Sequence, residues 1–109
     1  MGEELKEQSI TIRRKHNRKP YFSVIDYVVQ EDAYTDFTQN ISAGGVFIGT
    51  GTQFSVGQEV SMVFPLPVSK ENIKIKGEIV RISELGIGIK FKMSNPRQEA
   101  IIESLINLM

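Results

Sequence analysis

The sequence predicts a mainly β protein: a six-stranded antiparallel β-barrel with a C-terminal α-helix and a flexible N-terminal arm. Three observations carry that expectation. From Tyr21 onward, short runs of β-branched and aromatic residues are separated by brief turn-forming clusters, the texture of small closed β folds. Within several runs apolar and polar residues alternate, the period of a half-buried strand. After Ser94 the apolar spacing becomes helical.

Residues 1–12 hold only isolated apolar side chains, Leu5 and Ile12, and read as an N-terminal arm; residues 13–109 read as one domain. The cationic stretch 13–20 is too charged for a core and ends at Pro20, which biases Lys19 toward an extended backbone. Tyr21–Val29 is the first expected strand, Glu31–Ala33 a turn, and Tyr34–Ile41 the second strand. The small-residue turn Asn40–Gly45 leads into a third strand, Gly45–Thr50. Along Glu59–Phe64, Val60, Met62 and Phe64 alternate onto one face, and Pro65 and Pro67 stop the strand. Ile73–Ile79 and Ile87–Lys92 alternate likewise around a turn at Glu84–Gly86. Asn95 then offers an N-cap before Pro96, and Ile101, Leu105 and Leu108 recur at helical spacing. The helix reads as a lid on one barrel opening.

Composition excludes several function classes. The 109 residues carry no net charge, so no global basic field draws the chain to long nucleic acid. The charge is nevertheless uneven: residues 13–19 hold five of the thirteen Lys and Arg and no acid. A local cationic element on a mildly acidic body suits a small polyanion. There is no cysteine, and the single His16 cannot build a multi-histidine metal site. No apolar run reaches the ~20 residues that span a bilayer, and the acidic start is unlike a secretory signal. Cytoplasmic localisation without membrane insertion is the expectation.

Two motifs carry chemistry. Arg14 and Arg18 lie four residues apart, with Arg13 adjacent. A guanidinium presents two parallel donors, which match a phosphate or the O6 and N7 of guanine. The second motif is Asn40-Ile41-Ser42-Ala43-Gly44-Gly45. Asn40 can address a guanine edge, the Ser42 hydroxyl and nearby amides can bond a phosphate, and Gly44 and Gly45 permit positive φ and close approach of a ligand. Taken singly, each motif also reads as a solvated basic run or an ordinary β-turn.

Jointly and in this order, they resemble the PilZ domain family, bacterial receptors for the second messenger cyclic di-GMP. That family places an arginine-x-x-x-arginine segment before the first barrel strand and an aspartate- or asparagine-x-serine-x-x-glycine turn after the second. Val56–Val60, Ile75–Ile82 and Gly86–Phe91 are similar to its later strands. The resemblance implies a barrel with Arg13, Arg14 and Arg18 gripping guanines and phosphates, over a platform of Asn40, Ser42, Gly44 and Gly45. It implies cyclic di-GMP as ligand and no cofactor. It also implies an effector partner, such as motility, pilus or exopolysaccharide machinery, on a monomer or homodimer. Asn40 stands where many members have aspartate, which implies weaker pairing with guanine N1–H and N2–H.

An enzyme is disfavoured, since a catalytic site would have to rest on carboxylates such as Asp26 and Asp36 facing one another across adjacent strands. A PilZ-type interaction module with weak or no ligand binding is the main rival. An oligonucleotide-binding barrel would need exposed aromatic platforms. Most of the nine Phe and Tyr fall in strand segments as core candidates, with Tyr21, Tyr27 and Tyr34 partly exposed at most.

Overall fold

Alternation along Val24–Val29 turns Ile25, Tyr27 and Val29 to one side, where each is at most 2% exposed. The same rule on the other strands closes the barrel around one core. The computed structural model describes residues 17–66 and 70–108; the 1–12 arm and Arg13–His16 lie outside them. The strands are β1 (Lys19–Pro20), β2 (Val24–Val29), β3 (Asp32–Ser42), β4 (Gly45–Gly49), β5 (Glu59–Pro65), β6 (Asn72–Ser83) and β7 (Gly86–Lys92), followed by helix α1 (Pro96–Asn107).

All pairings are antiparallel, in the order β3-β2-β5-β6-β7-β4, and β4 pairs back on β3 to close the six-stranded barrel. The short β1 runs along the same edge of β3 as β2, one residue out of register. The expected first strand, Tyr21–Val29, is therefore displaced: pairing starts at Lys19 and lapses at Tyr21–Ser23. Thr38 splices the gap. Its buried hydroxyl donates to Tyr21 O at 2.6 Å and accepts from Ser23 N at 2.9 Å.

The core stacks Ile41, Val46, Ile48, Val60, Met62, Ile75, Ile79, Ile87 and Ile89, with Phe64 edge-on to Phe91 at 5.9 Å. Helix α1 adds Ile102 and Leu105 to it. Asn95 caps the helix by accepting from Gln98 N at 3.0 Å, and Gln98 Oε1 accepts from the N–H of Ser94, the residue before the cap, at 2.7 Å. Tyr27, one of three tyrosines for which the sequence left partial exposure open, is core at 1% exposure. Burial, reinforced by the Asp36 carboxylate, pushes its phenol above the ordinary tyrosine range, so it stays protonated and donates to Asp36 Oδ2 at 2.7 Å. Asp26 faces the other way, accepting from Thr35 Oγ1 at 2.7 Å, so the two carboxylates do not meet. Phe22 (72%) and Phe37 (59%) are exposed rather than core, because Phe37 falls on the outward phase of β3 opposite Val24.

The β2–β3 turn falls at Gln30–Glu31, one residue earlier than expected, with φ of 51° and 75°. Left-handed backbone in two non-glycine residues is strained. Glu31→Gly is expected to stabilise the fold by about 0.5–1 kcal/mol, after the added chain entropy of glycine is subtracted. Thermal unfolding should report this as a rise of about 2–6 °C.

Candidate functional site

Placement of the site starts with a slip in β3. Pairing with β4 runs Thr38↔Ile48 and then Asn40↔Phe47, leaving Gln39 as an extra, bulged residue. A one-residue insertion reverses the phase of every later side chain. Hence Ile41 enters the core at 0% exposure, and Asn40, two positions from buried Thr38, sits on the outer surface instead. β1 lies against this stretch, with Pro20 opposite Asn40 and Lys19 opposite Ile41. Arg18 is thereby delivered to Asn40, and its Nη1 donates to Asn40 Oδ1 at 2.7 Å.

The turn beyond is tied to its neighbours. Ser42, only 3% exposed, accepts from Gly44 N at 3.2 Å, and Gly44 O accepts from Phe91 N at 2.9 Å. Neither Gly44 nor Gly45 has positive φ; among the described residues the positive-φ glycines are Gly57 and Gly86. Gly45 is required for a different reason. A Cβ there would lie 2.2 Å from Ile89 O, so the close approach of β7 by itself requires a residue without a side chain.

A surface depression of about 350 Å³ lies where these parts converge. Arg18, Ser42, Gly44 and Gly45 line one part of it, and Val80, Ile89 and Lys90 the rest. Of the seven residues singled out from sequence, Arg18, Asn40, Ser42, Gly44 and Gly45 are brought together; Arg13 and Arg14 lie outside the described residues. Sequence reasoning missed Val80, Ile89 and Lys90. Val80 is a bulged residue, the unpaired one between Ile79↔Ile89 and Arg81↔Gly88, and β6 continues through it to Ser83, past the expected end at Ile79. Next to the depression, Arg81 lies over the Phe47 ring, its Cζ 5.7 Å from the centroid, in the space that Gly88 leaves by lacking a side chain. The one signal that would have found Lys90 is register: it sits opposite Gly45 across β4 and β7.

The parts define a small closed antiparallel barrel that carries, on its outer wall, a cation-bearing depression beside a polar turn. The chain belongs to the PilZ domain family, whose model matches residues 12–108. Members of this family are cyclic di-GMP receptor or effector modules. Solved structures agree on the fold. The chain is similar to the PilZ domain of CeSA from a cellulose-synthesizing bacterium, with a TM-score of 0.68 and 18% identity over 82% of this chain and 93% of that one. It is also similar to the Bacillus subtilis inhibitor of motility (MotI/DgrA), with a TM-score of 0.68 and 22% identity over 87% of this chain, which spans 50% of that protein. No curated protein matches in sequence. Among the described residues no helix is long and apolar enough to cross a membrane.

Proposed function

We propose that this domain is a cyclic di-GMP receptor whose arginine segment reorients on ligand binding and signals to a partner protein in the cytoplasm. The observation that most supports this is the 2.7 Å bond from Arg18 to Asn40, which ties two motifs 22 residues apart to one depression. In this reading Arg18, with Arg13 and Arg14, grips guanine O6 and N7 and the phosphates. Asn40 addresses a guanine edge, and the Ser42 hydroxyl and the Gly44–Gly45 backbone meet the ribose-phosphate. The Arg18–Asn40 bond is exposed, so surrendering it costs about 1 kcal/mol. Each charge-assisted bond to phosphate or guanine returns about 1.5–3 kcal/mol.

The pairing of Lys19 and Pro20 with β3 fixes the chain directly after Arg18. Phe22, between β1 and β2, and Phe37, on β3, are both exposed near this pairing and are suited to a partner that reads the segment's position. That partner belongs, on the family's pattern, to motility, pilus or exopolysaccharide machinery.

A second reading, an interaction module with little ligand binding, draws support from Gly45, whose need is met by the fold alone. Calorimetric titration with cyclic di-GMP, using GTP and linear pGpG as controls, separates the two. Saturable binding of the cyclic dinucleotide alone supports the receptor reading, and no binding leaves the interaction module. Asn40→Asp is expected to tighten binding about tenfold, since a carboxylate pairs with guanine N1–H and N2–H at full charge. An unchanged or weaker affinity would show that the stronger free-state pairing with Arg18 dominates.

A further inference from the structure

We propose that Lys90 is a second, barrel-borne anchor for the ligand's phosphate, acting from β7 on the depression it shares with Arg18; the proposal rests on the receptor reading above. Lys90 is exposed on β7 and lines the same depression as Arg18. Its neighbours explain why its charge is directed there. Across β4 it faces Gly45, which has no side chain to cover it. Across β6 it faces Glu78, but that carboxylate pairs with Lys92 at 3.4 Å. Among the described residues Lys90 has no ion pair of its own.

The depression is also lined by Val80, 48% exposed, whose apolar side chain is suited to the flat face of a purine. A phosphodiester beside that base would then be within reach of a guanidinium just before β1 and an ammonium held on β7. The two differ in kind. Arg18 gives directional, bidentate contact, whereas Lys90 acts as a point charge that tolerates either phosphate oxygen. A strand-borne cation also holds its position whatever the arginine segment does.

Titrations with cyclic di-GMP on the wild type, Lys90→Met, Lys90→Arg and Arg18→Ala test this. Each is run at about 0.1 M and about 1 M salt, where the Debye length falls from about 10 Å to about 3 Å. Lys90→Met should bind about tenfold more weakly at the lower salt, with an unchanged melting midpoint. Lys90→Arg should stay within about twofold of the wild type, because the charge is kept. The deficit of Lys90→Met should shrink at high salt, which a merely structural role would not produce. Wild-type affinity in Lys90→Met at low salt, with Arg18→Ala impaired, overturns the Lys90 assignment and leaves the receptor reading intact. No wild-type binding at all overturns both.

Discussion

Gly45→Ala unfolds at a midpoint more than about 10 °C below the wild type, with no ligand in the cell. The added methyl would meet Ile89 O at 2.2 Å, Ile89 C at 3.2 Å and Lys90 Cα at 3.4 Å, all backbone atoms that cannot rotate away. β4 and β7 must separate, which breaks the ladder that runs from Gly45↔Lys90 to Gly49↔Gly86. Overpacking of this kind costs about 3 kcal/mol, which in a domain of this size is about 12 °C or more. Gly51→Ala is the matched control, since nothing lies within 4 Å of its Cβ position; it should change stability by no more than about 0.5 kcal/mol. Circular dichroism melts decide the matter, and equal midpoints for the two variants would show that the strands yield. The consequence for function is direct. Lost binding in a Gly45 variant says nothing about ligand contact until its fold has been checked.

Arg18→Ala gives the opposite pattern: binding falls by at least about a hundredfold while the melt stays within about 1 kcal/mol. The side chain is exposed, and its bond to Asn40 is a surface contact, of a kind that contributes little to stability. Loss of a bidentate guanidinium removes about 3 kcal/mol of charge-assisted bonding from the complex, or about two decades of affinity. Arg18→Lys should recover only part of it, because an ammonium lacks the planar fork. Arg14→Ala is expected to match Arg18→Ala. Unaltered affinity in both alanine variants, read by calorimetry, removes the arginines from the site.

Much of the barrel was legible because its strands alternate. Val60, Met62 and Phe64 all reach 0% exposure, as their spacing requires. Asn95 and Pro96 likewise start the helix where their residue types place it. What escaped reading depends on contacts between distant segments. Gln30–Glu31 is not a typical left-handed pair, so the first hairpin could not be centred from composition. The bulge at Gln39 flips the phase of β3, and only pairing with β4 reveals that it exposes Asn40 while burying Ile41. The β1 pairing that carries Arg18 to Asn40 is invisible in a basic run ending at proline. Gly45 was singled out for positive φ and ligand approach; its φ is not positive, and the atom that crowds it belongs to Ile89, forty-odd residues on. Lys90 belongs to the depression solely through the register of β4 and β7.

Amide chemical-shift mapping of the labelled domain during titration with cyclic di-GMP tests most directly whether one guanine dinucleotide is enclosed between the arginine segment and the turn. The largest changes should fall on Arg18, Asn40–Gly45, Val80 and Lys90, with Gln30, Glu31 and the α1 residues near Arg97 left in place. Changes confined to those distant residues, or none at saturating ligand, would contradict the account.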